Sequence, residues 1–386
     1  MTTVDGLVDR ATSRAQLTDL GGDSWREGLD LLVRELDASS AVTPAGRAFI
    51  ESQYVDALWN RLRVIDYAKQ HPEVREERIA RPLVILGMPR TGTTVASYLL
   101  DQDPNRRSLL HWEAPDSVPP PTTATLRTDP RCLAKLEAQR QLLEAVLASG
   151  QGYSHWEDAD GPTECMFVQN QEFKALVWDT FQPTSVYSDW LMSCDMTSVY
   201  EYQKLVLQIL QSRAPGTWSL KMPSHAVYIE TLLSVFPDAR IVWAHRDPYK
   251  ATASLCDLQH GPKKIIMGDA VDPLEIGRNT TRQMREHVTR PLRTRERVGD
   301  DQFFDLYYHE MMRDPIGQMR RLYEWAGDEL DRETEARMQQ WLRENPQDRF
   351  GLRPYSLDEY GLTVETLTPV FAEYLSTFDI EMEGAS

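Results

Sequence analysis

The sequence has few cysteines and no long hydrophobic run, and each absence excludes a class of protein. The four cysteines of the 386-residue chain are scattered and form no C-x-x-C pair. This pattern favours reduced thiols over a disulfide framework or a zinc site. No stretch approaches the roughly 18 apolar residues of a transmembrane helix, so stable membrane insertion is not expected. The N-terminus, Met-Thr-Thr-Val-Asp-Gly, lacks the basic start and apolar segment of a signal peptide. Together these features predict a cytoplasmic location.

Positive charge is also in deficit. The chain has 42 Lys and Arg against 59 Asp and Glu, a formal net charge of −17. Such a balance argues against general affinity for nucleic acid or anionic lipid. Local cations in polar turns therefore stand out against the background, and three of them are Arg90, Lys221 and Arg246.

The segment 83–94, Leu-Val-Ile-Leu-Gly-Met-Pro-Arg-Thr-Gly-Thr-Thr, predicts a short buried strand, a glycine-bounded loop and a helix from about Thr93. A helix N-terminus offers unpaired N–H groups and partial positive charge, which suit a phosphate. Gly87 and Gly92 have the spacing of the Walker A loop, but Thr93 replaces its lysine and Arg90 lies inside the loop. Because kinases and ATPases need that lysine, the segment predicts a phosphate site unsuited to γ-phosphate transfer.

Further apolar strand candidates are separated by helical patterns, which indicates an α/β fold with a parallel sheet flanked by helices. These candidates cover 83–86, 217–220, 240–244 and 303–308. In a parallel sheet the ligand lies beyond the carboxyl ends of the strands. We therefore expect the cations that follow three of these strands to converge on one crevice that holds a ligand with several anionic groups.

The domain organisation is predicted from helical apolar spacing outside the strands. Residues 1–80 read as an N-terminal helical region, and 81–386 as the α/β domain. A long helical insertion rich in aromatic residues lies at about 122–212 and is expected to contribute to the acceptor side.

Two motifs carry a family resemblance. Gly-Met-Pro-Arg-Thr-Gly-Thr-Thr at 87–94 resembles the 5′-phosphosulfate loop of sulfotransferases, and Arg246-Asp-Pro with Ser254 eight positions on resembles their 3′-phosphate signature. The motifs lie in this order about 155 residues apart, each after a predicted strand. The chain is similar to the bacterial branch that also resembles tyrosylprotein sulfotransferases, and the likeness extends through 355–362. The resemblance implies a P-loop NTPase-like sulfotransferase fold.

It also implies an enzyme that moves a sulfuryl group from 3′-phosphoadenosine 5′-phosphosulfate (PAPS) to a hydroxyl or amine. The sulfuryl group carries less charge than a γ-phosphate, so no metal is expected. Tyr308 matches a family tyrosine that contacts adenine, with core packing as its alternative. Arg353, favoured over Arg349, matches a basic contact to the 3′-phosphate. The implied donor-binding residues are Arg90, Thr91, Gly92, Thr93, Thr94, Arg246, Ser254, Tyr308 and Arg353.

The implied catalytic residues are Arg90, Lys221, Glu113 and His225. Arg90 and Lys221 would stabilise the negative charge that develops on the departing 5′-phosphate. Glu113 is the first candidate for the general base, because it follows the phosphate loop where related enzymes carry a glutamate. Its alternative is a structural salt bridge or helix cap. His225 is the second candidate. Glu164 could cap the helix that follows Glu164 or touch the acceptor, and the cap is favoured.

The predicted partner is a small hydroxylated acceptor that is apolar or lipid-like, and the oligomeric state stays open. Two other classes compete with the sulfotransferase. One is a P-loop nucleotide kinase or NTP hydrolase with an atypical loop, which would bind Mg-ATP. The other is a non-enzymatic nucleotide-binding module, against which the presence of Arg90, Lys221, Ser254 and Glu113 argues.

Overall fold

The computed structural model describes residues 2–148, 157–346 and 356–383. Within these ranges, no helix is long and apolar enough to cross a membrane. The α-helices are α1 (Val4–Ala15), α2 (Arg26–Ala38), α3 (Pro44–Gln70), α4 (Thr93–Leu100), α5 (Pro130–Ala148), α6 (Met166–Gln169), α7 (Ser185–Leu191), α8 (Thr197–Gln211), α9 (Ile229–Val235), α10 (Pro248–Met267), α11 (Pro273–Val298), α12 (Tyr308–Arg313), α13 (Pro315–Ala326), α14 (Arg332–Glu344) and α15 (Val364–Thr377).

Five parallel strands form one sheet in the order β2-β3-β1-β4-β5. Their bounds are β1 (Leu83–Gly87), β2 (Arg106–Ser108), β3 (Thr217–Lys221), β4 (Arg240–His245) and β5 (Phe303–Tyr307). The predicted α/β class with a parallel sheet is confirmed, as are all four predicted strands. The last of them ends one residue earlier than expected, because Tyr308 already begins α12.

The strand that sequence reasoning missed is β2, whose sequence is Arg-Arg-Ser. It lacks the apolar residues that identify a buried strand. Its arginines are nevertheless buried, and Arg106 donates to the Ser219 hydroxyl (3.3 Å) and to Asp328 (2.5 Å). Non-local ion pairing therefore replaces hydrophobic burial in this strand.

The sheet has a hydrophobic core on each face, because side chains alternate along a strand. Leu83 and Ile85 of β1 pack with Ala96 and Leu99 of α4, whereas Val84 belongs to the larger core on the opposite face. That larger core also includes buried residues of α1, α2, α3, α8 and α11. A side chain near the end of a strand is therefore directed either towards α4 or towards the larger core.

The N-terminal helices share the larger core with the chain between β2 and β3. Tyr54 of α3 packs edge-on against Trp178, with ring centres 5.0 Å apart. Gly28 of α2 lies so close to residue 173 that a Cβ atom would stand 2.2 Å from the Phe173 carbonyl oxygen. The division of the chain at residue 80 stays a prediction, since this core is continuous across it.

Candidate active site

The first part of the site is the loop that joins β1 to α4. Arg90 and Gly92 adopt positive φ angles of 69° and 81°. At Gly87, a Cβ atom would stand 2.4 Å from the Ala244 carbonyl oxygen of β4, so only glycine allows β1 and β4 to approach this closely. Gly92 is the N-cap of α4 and has no side chain to cap the first N–H groups. The helix begins at Thr93 as predicted, and its N-terminus has the chemistry of an anion site.

The second part follows β4 and is in direct contact with the first. Arg246 Nη1 donates to the Arg90 carbonyl oxygen (2.7 Å), across 156 residues of sequence. Arg90 Nε in turn donates to the Ser254 hydroxyl (3.0 Å). The Arg246 guanidinium lies 4.0 Å from the centre of the Tyr308 ring, in a cation–π contact. The structure therefore brings together residues of both sequence motifs.

Tyr308 and Gly92 complete this junction. The Tyr308 ring is so close to the loop that a Cβ atom on Gly92 would stand 2.9 Å from its Cδ2 atom. Thr91 is buried and donates its hydroxyl to the Met88 carbonyl oxygen (2.8 Å), which shapes the loop from within. Thr93 is buried and Thr94 half-buried in the first turn of α4. The assignment of these residues to a nucleotide stays a prediction, as does that of Arg353, which lies outside the described residues.

A carboxylate of the C-terminal tail contacts two nitrogen atoms of the Arg246 guanidinium. Glu383 accepts from Nε (2.5 Å) and Nη2 (2.7 Å) of this guanidinium. The Glu383 amide donates to Asp247 Oδ2 (2.9 Å), while Asp247 Oδ1 caps α10 by accepting from Tyr249 N (2.8 Å). Planar two-oxygen recognition of this kind is common to carboxylate and phosphate. Sequence reasoning gave no sign of the tail contact, because it depends on tertiary proximity alone.

Lys221 ends β3 on the other side of β1. It is paired in register with Ile85, and its ammonium is held by Glu157 (2.6 Å) and Glu164 (3.1 Å). Burial by itself would lower the pKa of Lys221, but the two carboxylates outweigh it and raise the pKa above its ordinary value. Lys221 is therefore charged at neutral pH. Sequence reasoning missed Glu157, which no motif marks.

Glu164 does not have the role expected from the sequence. In the described part of the chain, α6 has no side-chain cap, and its N-cap residue is Cys165. The Glu164 carboxylate reaches Lys221 instead, and the two residues also form a parallel β-bridge. The expectation of a helix cap was wrong because the cation that attracts this carboxylate is 57 residues away in sequence.

Glu113, the first candidate for the base, is completely buried. It accepts from Arg107 Nη2 (2.6 Å) and from the Leu110 amide (2.9 Å), so each of its oxygens has a donor. Arg107 lies over the Trp218 ring of β3 at 4.9 Å. Since Trp218 and Lys221 are three residues apart, they point to opposite faces of the sheet. The catalytic role of Glu113 stays a prediction, and these contacts favour its structural alternative.

His225, the second candidate, lies in a 3₁₀ turn, Pro223–Ala226, directly after β3. It is completely buried, and its Nδ1 atom lies 2.8 Å from the Tyr200 hydroxyl of α8. Burial lowers the pKa of His225 to about 3, so the ring is neutral at physiological pH. A neutral imidazole is the protonation state a base requires, but the lack of exposed surface gives an acceptor no approach in this conformation.

In this parallel sheet, the first strand leads into a loop that contains Arg90, and Arg246 at the end of the neighbouring strand contacts this loop. Such an arrangement is typical of α/β proteins that bind phosphate. The model of the sulfotransferase family matches residues 82–332, which include both motifs. The chain belongs to the sulfotransferase family, as its sequence motifs predict.

Two solved structures are similar over nearly their whole length. Sulfotransferase STF9 from Mycobacterium avium has 59% sequence identity and a TM-score of 0.94, and the match covers 100% of this chain and 99% of that one. Sulfotransferase STF1 from Mycobacterium tuberculosis H37Rv has 29% identity and a TM-score of 0.83, with 96% and 99% covered.

Two curated relatives match over a shorter segment. They are the omega-hydroxy-beta-dihydromenaquinone-9 sulfotransferases Stf3 of Mycobacterium bovis and Mycobacterium tuberculosis. Each is 30% identical over 167 residues, which are 41% of this chain and 39% of the relative. The match thus spans about two fifths of the length of these relatives.

Proposed function

We propose that this protein transfers a sulfuryl group from PAPS to a hydroxyl of an apolar, lipid-like acceptor. The observation that carries the proposal is the direct contact between the two motifs, Arg246 to Arg90 (2.7 Å) and Arg90 to Ser254 (3.0 Å). A donor with phosphates at both ends of its ribose needs cations at two neighbouring points, and this junction provides them.

The residues present fit such a donor. The N–H groups at the start of α4 and the Arg90 side chain suit the 5′-phosphosulfate, since charge-assisted donors are the strongest ligands of phosphate oxygens. Arg246 already binds two coplanar oxygens, those of Glu383, and the same fork suits a 3′-phosphate. The half-buried ring of Tyr308 beside Gly92 is suited to the adenine end.

The acceptor class is inferred from the relatives and from composition. The Stf3 relatives are named for a hydroxyl at the end of a quinone lipid. This chain carries aromatic side chains throughout the segment between β2 and β3, including the partly buried Phe167, Phe181 and Trp190. Apolar side chains of this kind are typical of pockets that take a lipid-like molecule. A nucleotide kinase has no comparable support, because the loop lacks the lysine it requires.

Binding of the desulfated product, 3′-phosphoadenosine 5′-phosphate (PAP), tests the donor site. PAP should raise the melting temperature of the wild type, whereas Mg-ATP should not. Arg90→Ala and Arg246→Ala should each weaken PAP binding at least tenfold, because each removes one charged phosphate ligand. Arg320→Ala is the matched control, since Arg320 is exposed and pairs with Glu335 away from the site. Tight binding of Mg-ATP with none of PAP would refute the donor.

Transfer itself is tested with labelled PAPS and a panel of lipid alcohols and phenols, with product detection by mass spectrometry. Geranylgeraniol serves as the simple lipid alcohol of the panel. The expected product is its sulfate ester, formed only when wild-type protein and PAPS are both present. PAP binding without transfer to any member of the panel would support the non-enzymatic module.

A further inference from the structure

Three carboxylates lie near the carboxyl ends of β2 and β3, and they differ in how their oxygens are occupied. Glu113 uses both oxygens within the protein and is completely buried. Glu157 is also almost fully buried, and it accepts from Lys221 (2.6 Å) and from the Thr163 hydroxyl (2.6 Å). Glu164 accepts from Lys221 through Oε1 only, and its side chain is 15% exposed. Among the described residues, its Oε2 atom has no hydrogen-bond donor.

Glu164 and Lys221 are side by side on the face of the sheet that α4 covers. They form a parallel bridge, and residues paired in this way project to the same face. Lys221 is in register with Ile85, whose side chain packs against α4. The open carboxylate therefore lies on the same side of the sheet as the helix that begins the predicted phosphosulfate site.

The segment that carries Glu157 and Glu164 packs against Tyr98 in the second turn of α4. The Asp158 amide donates to the Tyr98 hydroxyl (3.2 Å), and Tyr98 lies one turn beyond Thr94 on this helix. Gly161 approaches the same ring so closely that a Cβ atom would stand 2.5 Å from the Tyr98 hydroxyl. Residues 157–164 are thus fixed against the helix whose N-terminus is expected to hold the departing phosphate.

From this placement we infer that Glu164 is the general base of the transfer, an inference that rests on the proposed function. As the acceptor oxygen bonds to sulfur, its proton passes to Glu164 Oε2. The bond from sulfur to the 5′-phosphate oxygen breaks, and its electron pair stays on that oxygen. Lys221 donates to Glu164 Oε1 (3.1 Å) and holds the carboxylate in place while Oε2 takes the proton.

The dependence of the rate on the acidity of the acceptor tests this role. Glu164→Gln preserves the shape of the side chain and removes the base. Transfer to geranylgeraniol, an alcohol that must lose its proton, should fall at least a hundredfold. Transfer to 4-nitrophenol, assayed at a pH where it is already the phenolate, should fall by less than about threefold, because no proton remains to be taken. Glu164→Asp should give an intermediate rate with the alcohol.

PAP affinity and thermal unfolding of the same variants separate the possible failures. PAP should bind Glu164→Gln within about twofold of wild type, since the carboxylate is placed at the acceptor and not at the nucleotide. An equal loss of rate with the alcohol and the phenolate would overturn the inference in favour of a structural role. Unchanged transfer to the alcohol would also overturn it. Absence of PAP binding by the wild type would instead refute the proposed donor.

Discussion

The contact between Glu383 and Arg246 leads to an unusual expectation, that removing a side chain improves nucleotide binding. The carboxylate occupies both donors of the guanidinium edge, at 2.5 and 2.7 Å. If this edge binds the 3′-phosphate, the phosphate must first displace Glu383. Glu383→Gln removes the competing charge while keeping the size of the side chain, so PAP should bind the variant more tightly.

The magnitude follows from the exposure of the pair. The side chains of Arg246 and Glu383 are 13% and 33% exposed, so the pair is partly screened by water. Exposed ion pairs contribute at most about 1 kcal/mol, and hydrogen bonds to charged groups about 1.5–3 kcal/mol. A value of about 1–2 kcal/mol is therefore expected, and it corresponds to PAP binding roughly 5- to 30-fold tighter. Glutamine still offers one acceptor oxygen, which favours the lower end.

Isothermal titration of PAP into the two proteins measures this difference. Glu335→Gln is a matched control because it changes the net charge equally. The Glu335 carboxylate pairs with Arg320 (2.5 Å), and neither residue lines the cavity beside Arg246. Its PAP affinity should stay within about twofold of wild type. Equal or weaker binding by Glu383→Gln would show that Arg246 does not exchange the tail for the nucleotide, and the reasoning would fail.

Three further predictions concern the fold around the site. Glu113→Gln should lower the free energy of unfolding in urea by about 3 kcal/mol, because it leaves a buried arginine without its charge partner; a change below 1 kcal/mol would contradict the structural role. Gly92→Ala should lower the free energy of unfolding by about 1–2 kcal/mol, because a residue with a Cβ atom is strained at this positive φ, and it should also weaken PAP binding. Gly299→Ala is the control: Gly299 also has a positive φ but has no atom within 4 Å of an added Cβ, so this variant should lose stability only. Burial lowers the pKa of His225 to about 3 and of His287 to about 4, from 6.5 in the unfolded chain. The unfolded state therefore binds more protons as the pH falls below 6.5. Near pH 5 these two groups should lower the free energy of unfolding by roughly 2 to 3 kcal/mol for each pH unit of decrease, and His225→Gln should remove about half of this dependence.

The elements that could be predicted from the sequence are those with local signals. The strand at 83–87 is fully buried and reads as a continuous apolar run, and glycine is required at both ends of the loop by the positive φ angles of Gly87 and Gly92. Asp247 and Pro248 mark the start of α10 because the aspartate caps the first turn and proline fits the first helical position. Such features depend on a few neighbouring residues, so the sequence pattern alone located these elements along the chain.

The partners of buried charges could not be predicted in this way. Arg107 and Glu113 are six residues apart, yet nothing in the sequence shows that both turn inwards to one another. The carboxylates on Lys221 come from residues 57 and 64 positions away. Charge pairing across such separations depends on which faces of the sheet the elements cover. The sequence therefore predicts phosphate ligands inside a motif better than it predicts a base that lies at a distance from the motif.

Lys221 at the end of β3 and Arg246 after β4 are both paired with carboxylates in the free protein, but these carboxylates belong to segments of different kinds. The carboxylates on Lys221 belong to a segment fixed by backbone hydrogen bonds, including Cys165 N to the Lys221 carbonyl oxygen (3.1 Å) and Thr163 N to the Leu109 carbonyl oxygen (2.8 Å). The carboxylate on Arg246 lies at residue 383, in the tail that follows α15, and the Glu383 amide is held by Asp247. A phosphate can displace such a tail contact at the loss of few other bonds, whereas displacing the carboxylates of Lys221 would break the packing of the segment. We therefore expect Arg246 to exchange Glu383 for the nucleotide and Lys221 to keep its carboxylates throughout the reaction, as a base beside it requires.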